Sequence, residues 1–404
     1  MTPCTTPIAS LRSLTLDLPP SCIEFCLAHP AYFVVGTYNL QKEEGLEPPV
    51  EEAEHNSEGG AAVRKQSRDG SIIVFRLDNS ELANTQVVKY PSAILDLHFH
   101  PGQPDVLAVV SSTGTLSFFR LSKAGQLTEI KTHSSLEPSD GVLFLSCVWH
   151  PDLHELLAIT TSDFHVHVFR VDSDWNVHLT SDEPAVSHQL EAWTVAFSPL
   201  GTGTDHVTQT QEVTVFSGGD DSRLLASTLT YCSSELQDAA ARGSMEKLYP
   251  ARVFKGHQAG VTAILPLPFR LADGSSIIIT GSYDDHIRVF SFAGPLTAPV
   301  HLAEENLGGG VWRLKTIGAA KSDGGKWDVV LLASCMHAGA RIIRVSGDQE
   351  VGGCKIEVLG RFEEHKSMNY GSDYAPETDK PGRVLQCVST SFYDKLLCLW
   401  EFTR

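Results

Sequence analysis

Apolar residues along this chain fall in short alternating runs, each closed by small or turn-forming residues. Cys22-Ile-Glu-Phe-Cys-Leu27, Tyr32-Phe-Val-Val-Gly-Thr-Tyr38 and Gly70-Ser-Ile-Ile-Val-Phe-Arg-Leu77 are the first of them, and the alternation predicts β-strands. One phrase recurs. Thr280-Gly-Ser-Tyr-Asp-Asp-His-Ile-Arg-Val-Phe290 is matched by Ser217-Gly-Gly-Asp-Asp-Ser-Arg-Leu-Leu225, by Thr160-Thr-Ser-Asp-Phe-His-Val-His-Val-Phe169 and by Thr390-Ser-Phe-Tyr-Asp-Lys-Leu-Leu-Cys-Leu-Trp400. In each copy small residues end one apolar run, an Asp occupies a tight turn, and a second strand follows.

That phrase is the middle hairpin of a propeller blade in the WD-repeat pattern, and its spacing of roughly 40–60 residues argues for one closed ring. The fold class expected is therefore all-β, a seven-bladed WD40-type β-propeller forming a single domain. The blades read as 22–77, 93–121, 142–171, 190–230, 256–292, 308–345 and 366–402. Blade one is interrupted at 41–68 by a Glu-, Gly- and Pro-rich stretch that predicts a disordered insertion. Cys232 to Lys247 reads as a short helix or a loop between blades. The last blade has only three strands of its own, and the alternating piece 11–17 is expected to supply the fourth and lock the ring, leaving no open edge. His100-Pro101, His150-Pro151 and Ser198-Pro199 end successive first strands, as turn signals and not as ligands.

Composition narrows the function classes. The chain has 404 residues and a formal charge of −18, which speaks against a nucleic-acid or anionic-membrane partner and favours a cationic one. Plain solubility explains the same charge. Nine cysteines occur singly without CxxC spacing, which fits a reducing compartment and suggests no zinc ribbon. The first twenty residues lack an export signal and no apolar run approaches membrane-spanning length, so a cytoplasmic, monomeric protein is expected.

No GxSxG elbow, HExxH, Walker A or Rossmann glycine pattern is present, and neither a metal nor an organic cofactor is expected. An active site would have to be assembled from loops around the mouth of the ring. Most turn Asp residues read as scaffold. Asp284 with His257 has that role, as do Asp163 and Asp394. Blade six departs from the rule, because Ala333-Ser-Cys-Met-His-Ala-Gly-Ala-Arg-Ile342 places His337 where the others carry the turn Asp. An imidazole exchanges protons near neutral pH, so His337 is a candidate general base, and a substitute hydrogen-bonding partner is its plainer reading. Asp221, Asp285 and His286 adjoin the turns, as solvated groups or as groups facing the mouth. Tyr283, Trp312, Tyr370, Tyr374 and Tyr393 fall in or beside top-face loops, and aromatics around an acidic mouth attract a quaternary ammonium. Trp312 also fits strand core. Gly308-Gly-Gly310 leads into a strand and reads as a close backbone approach.

Several of these segments resemble one family. Gly281 to Ile287, Gly308-Gly-Gly-Val-Trp-Arg-Leu-Lys315, Ala333-Ser-Cys-Met-His337, Tyr370-Gly-Ser-Asp-Tyr374 and Ser391-Phe-Tyr-Asp394 with Leu399-Trp400 are similar, in that order, to the WD-repeat diphthine methylesterases of diphthamide biosynthesis. Val34-Val-Gly-Thr-Tyr38 extends the likeness to the first blade. Thr316 and Tyr374 stand where the family carries Trp. The resemblance implies hydrolysis of the methyl ester of diphthine on translation elongation factor 2, the step before amidation to diphthamide. The residues themselves then suggest His337 as general base or nucleophile partner, oriented by a nearby carboxylate such as Asp285 or Asp221. Arg313 or the backbone N–H groups of Gly308, Gly309 and Gly310 would stabilise the oxyanion. Trp312, Tyr283 and Tyr370 would receive the trimethylammonium group. The fold alone fits two other readings: a non-catalytic scaffold that docks a protein on its rim, and a reader of modified residues that lacks any base.

Overall fold

The computed structural model describes residues 7–40, 68–134, 136, 141–200, 210–232, 243–322, 324–348, 353–376 and 384–403. Seven antiparallel sheets follow one another along the chain as the blades of a β-propeller. Their first strands are Pro20–Phe25, Ile94–Phe99, Phe144–Trp149, Ala192–Phe197, Val261–Arg270, Arg313–Lys321 and Gly371–Tyr374. These seven strands contact one another in sequence, and the last contacts the first, so they form the inner wall of the ring.

The middle strands form because they are apolar on both faces. Val106–Ser111, Leu156–Thr161 and Ser276–Ser282 are buried at every position, each sheet being covered by both neighbours. The seven hydrophobic clusters accordingly lie between blades, not within them. Leu156, Val166, Val195 and Leu229, for instance, join blades three and four, and Phe33, Phe75, Leu397 and Leu399 join seven to one.

Closure is made by Ser10–Thr15, which pairs antiparallel with the C-terminal strand Leu396–Thr403. The strand expected at 11–17 thus ends two residues earlier, at Thr15. Trp400 locks this blade to the sixth. It is fully buried, stacks on Phe362 at 5.2 Å and donates its indole N–H to Ser389 Oγ at 3.0 Å. Trp400→Phe is expected to keep the stack and lose the N–H bond and part of the volume. Urea unfolding should register a loss of about 1–2 kcal/mol.

Sequence periodicity ended most blades too early. Glu81–Tyr90, Leu127–His133, Val300–Asn306 and Cys354–Phe362 are outer strands that lie beyond the expected ends of blades one, two, five and six. One face of each meets solvent and the other a narrow strip of core, so apolar alternation is faint there. Met245–Lys247, read as helix or loop, is a short strand on the edge of blade four. The proposed insertion at 41–68 lies outside the described residues except for Arg68, which opens the strand Arg68–Asp78.

Candidate functional site at the mouth of the ring

A register shift recurs at the top of the inner wall. In the first five blades the pairing of the first strand skips one residue, at Ser21, Leu95, Leu145, Trp193 and Thr262. Such a bulge turns a side chain out of the ladder. Trp312 and Tyr370, each just ahead of its inner strand, hold the corresponding places in blades six and seven. All seven line one cavity of about 340 Å³, together with Tyr38, Arg68, Leu143, Ser146, Thr194, Tyr283, Arg313 and Phe392. Each blade thus gives the mouth one side chain from an equivalent position.

The aromatic members cluster to one side. The Trp312 ring lies 4.9 Å from Tyr370, 5.9 Å from Tyr283 and 5.8 Å from Trp193, centroid to centroid. Phe392 continues the wall at 5.4 Å from Tyr370 and 5.8 Å from Tyr38. The Arg68 guanidinium stands 6.0 Å over the Tyr38 ring. Burial pushes the Tyr283 and Tyr370 phenols up, so both rings stay neutral at physiological pH.

Below the cavity the channel is crossed by charge. Arg313 of blade six donates to Asp96 of blade two at 2.7 Å, and Lys315 donates to Asp373 at 3.0 Å and to Glu24 of blade one at 3.4 Å. His98 lies 3.0 Å from Glu24 and 3.5 Å from Asp96. Blades six and two are not neighbours, so these side chains bridge the channel and give the cavity a polar floor. Asp96 also accepts from Ser146 Oγ at 2.7 Å and from the Cys147 N–H at 3.1 Å. Burial opposes ionisation of Asp96, but Arg313 and His98 outweigh it and hold the carboxyl well below its usual range. Glu24 is held at about 2 by Lys315 and His98 against the same opposition. Burial likewise disfavours charged His98, yet Asp96 and Glu24 raise it to about 9. Asp96 and Glu24 therefore face Arg313, Lys315 and a protonated His98 as anions at neutral pH, while burial pushes the Asp373 carboxyl up against the pull of Lys315. At the level of Glu24, His98, Lys315 and Asp373, the inner strands of blades three to five carry Val148, Ala196 and Leu265. The channel is polar on one side and apolar on the other.

The structure brings together Tyr283, Trp312, Tyr370 and Arg313. It holds Asp221 on blade four, away from His337 of blade six, while Asp285 is near enough to the blade-six turn to act electrostatically on Cys335, two residues before His337. Asp221 belongs to the scaffold, which corrects its assignment as an orienting carboxylate. His188 is held between it and Ser217, at 3.0 Å from each, and Asp221 also accepts the N–H groups of Gln189 and Arg223. Pairing of Ser217 with Leu225 and Thr280 with Arg288 shows that Asp221 corresponds to Asp284. Asp285 takes a left-handed turn conformation at φ 67°. His337 is exposed on the turn between the second and third strands of blade six, with no hydrogen bond or ion pair to the described residues. It adjoins the rim: its neighbour Met336 bridges to Asn369, which precedes Tyr370.

In blade five His257 bonds Thr280 at 2.9 Å, while Asp284 takes the Gln258 N–H and Arg288, so the pair serves the scaffold through separate bonds. A Cβ at Gly309 would meet the Cys335 carbonyl at 2.5 Å, and one at Gly310 the Met336 sulfur at 2.6 Å. Both glycines let the loop pack against the blade-six turn. Neither lines the cavity. Tyr374 turns away to donate to the Thr316 carbonyl at 3.0 Å.

Sequence reasoning missed Trp193, Tyr38 and Phe392 in the aromatic wall, and the ionic floor of Asp96, Glu24, His98, Lys315 and Asp373. A signal for the floor was available, since charges inside predicted inner strands are rare unless paired. Asp220 was also missed. Its carboxylate lies beside the Trp193 indole N–H, without a hydrogen bond of normal geometry, and burial pushes its pKa up.

Fold and site define the class as a WD-repeat β-propeller with an aromatic-walled cavity at its mouth. Residues 248–291 match the family model described as "WD domain, G-beta repeat". Over almost its whole length the chain is similar to three proteins named for diphthine methyl chemistry. The diphthine methyltransferase homolog of Dictyostelium discoideum is 25% identical across 95% of this chain and 97% of that protein. The diphthine methyltransferase of Schizosaccharomyces pombe is 27% identical across 95% of both chains. That of Saccharomyces cerevisiae is 26% identical, covering 96% of this chain and 97% of its own.

Proposed function

We propose that this protein acts in diphthamide biosynthesis as a carboxyl methylesterase, hydrolysing the methyl ester of diphthine on translation elongation factor 2. The observation that carries the reading is the wall of Tyr283, Trp312 and Tyr370 directly beside Arg313. A quaternary ammonium offers no N–H to a hydrogen-bonding site, so its recognition falls to aromatic faces, at about 0.5–2 kcal/mol per good contact. The neighbouring guanidinium then suits the ester carbonyl.

In this reading water attacks the carbonyl carbon and the negative charge of the tetrahedral intermediate develops beside Arg313. His337 on the rim takes the proton from water and returns it to the departing methoxide, which leaves as methanol. The product carboxylic acid releases its proton to solvent, and the carboxylate remains opposite Arg313. The relatives' names speak of methyl transfer, and the reading differs from them in direction. A cavity of about 340 Å³ is at the small end for ligand sites and suits one modified side chain better than a side chain with a nucleoside-sized methyl donor.

Methanol release from methylated diphthine on the elongation factor tests the reading, with His337→Ala as the comparison. The variant is expected to lower release by about 10²-fold and to leave the melting temperature unchanged, since the imidazole is exposed. Undiminished release from the variant removes His337 from the mechanism. Tight binding without release by the wild type establishes a reader instead, an alternative favoured by the position of His337 outside the cavity lining.

A further inference from the structure

We propose that Asp220 supplies the negative charge that makes this cavity select a quaternary ammonium over a neutral group of the same shape. The inference rests on the aromatic wall as a cation site and goes further by assigning its charge selectivity to one residue.

Asp220 precedes the scaffold residue Asp221 and occupies in blade four the place of Tyr283 in blade five. The blade-four turn anchors it, its N–H donating to the Glu191 carbonyl at 2.9 Å. Its side chain converges with the Tyr283 ring on Gly260. A Cβ built there would stand 2.7 Å from Asp220 Oδ1 and 2.9 Å from Tyr283 Cδ2. On its other side lies the Trp193 indole, whose buried N–H has no hydrogen-bond partner. Tyr283 and Trp193 both line the cavity, so the carboxylate stands immediately behind two rings of its wall.

What sets Asp220 apart from the floor carboxylates is compensation. Asp96, Glu24 and Asp373 each have a cation within 3.4 Å. Asp220 has no ion pair among the described residues: burial works against its charge, the neighbouring Trp193 indole N–H is the one group that favours it, and the charges acting on it, Glu191 and Asp221, are both acidic. A half-buried anion among anions is unfavourable in the empty protein and is relieved by a cation in the cavity. A trimethylammonium group suits this arrangement. Its charge acts through the rings without contact, and Asp220 attracts it from behind them. A neutral tert-butyl group fills the same volume and gains nothing from the carboxylate.

Full-length protein titrated with choline and with its neutral isostere 3,3-dimethylbutan-1-ol, followed by tryptophan fluorescence, gives the two affinities. The wild type is expected to prefer choline, and Asp220→Asn to reduce that preference by roughly tenfold with the alcohol's affinity unchanged. Asp220→Glu should restore part of it. The asparagine variant is close to isosteric, breaks no ion pair and keeps an amide oxygen beside the Trp193 indole N–H, so its melting temperature should match the wild type. An undiminished preference in Asp220→Asn overturns the inference and leaves the cation site standing. Equal affinity of the wild type for choline and the alcohol overturns both.

Discussion

Arg313→Met should lower methanol release by about 10²–10³-fold, the usual cost of losing one oxyanion donor, and destabilise the fold by about 3 kcal/mol. The two effects have separate causes. Arg313 lines the cavity and faces the ester in the proposed reaction, so its loss removes the donor for the developing oxyanion. Its other role is to neutralise Asp96, which is almost wholly buried. Methionine fills the space and leaves that carboxylate short of its main counter-charge. The Ser146 hydroxyl, the Cys147 N–H and protonated His98 remain as partners, which keeps the loss at the lower end for a broken buried pair. Adding Asp96→Asn to Arg313→Met removes the orphaned charge, so urea unfolding should recover much of the stability. Methanol release should stay low in the double variant. Recovery of both would show that Arg313 acts only as scaffold.

The propeller was legible because its defining constraint is local. A turn Asp between two alternating strands needs only about ten consecutive residues, and four copies survive in readable form. The site is not local. Its seven wall positions are consecutive in space and far apart in sequence, and what unites them is a bulge in the strand ladder. Tyr283, Trp312 and Tyr370 stood out as large aromatics beside turns. Trp193 did not, because a Trp inside an apolar run looks like core. The two adjacent Asp residues of blade four show the limit most clearly. Asp220 and Asp221 are indistinguishable in composition, and one residue of register decides which is held by His188 and which stands behind the cavity wall. The outer strands were lost for another reason, since a strand with one solvated face and irregular burial carries little periodic signal.

Acid is expected to unfold this protein well before its carboxylates titrate. Burial holds His100, His150, His257 and His365 at about 4, far below the ordinary histidine value near 6.5. Two of them also accept backbone bonds that require an unprotonated nitrogen. His100 Nδ1 receives the Gly102 and Gln103 N–H groups, and His150 Nδ1 those of Asp152 and Leu153. The folded state keeps these rings neutral while the unfolded chain takes up protons below about pH 6.5, so their contribution is complete above that pH and is lost as pH falls toward 4. Each accounts for up to about 3 kcal/mol, and four acting together rival the 5–15 kcal/mol total typical of a domain. The channel network works in other windows. His98, raised to about 9, stabilises below 6.5 and loses its contribution as pH rises toward 9. Glu24, held at about 2, keeps its contribution until pH falls below about 4.5. Melting temperatures taken from pH 7.5 to 4.5 should therefore fall steeply across 6.5–4.5, with unfolding near pH 5 taking up three to four protons. His150→Ser copies the residue at the same turn of blade four, Ser198, and should reduce the uptake by about one proton. A flat profile over that range would mean that these imidazoles are already charged in the folded ring.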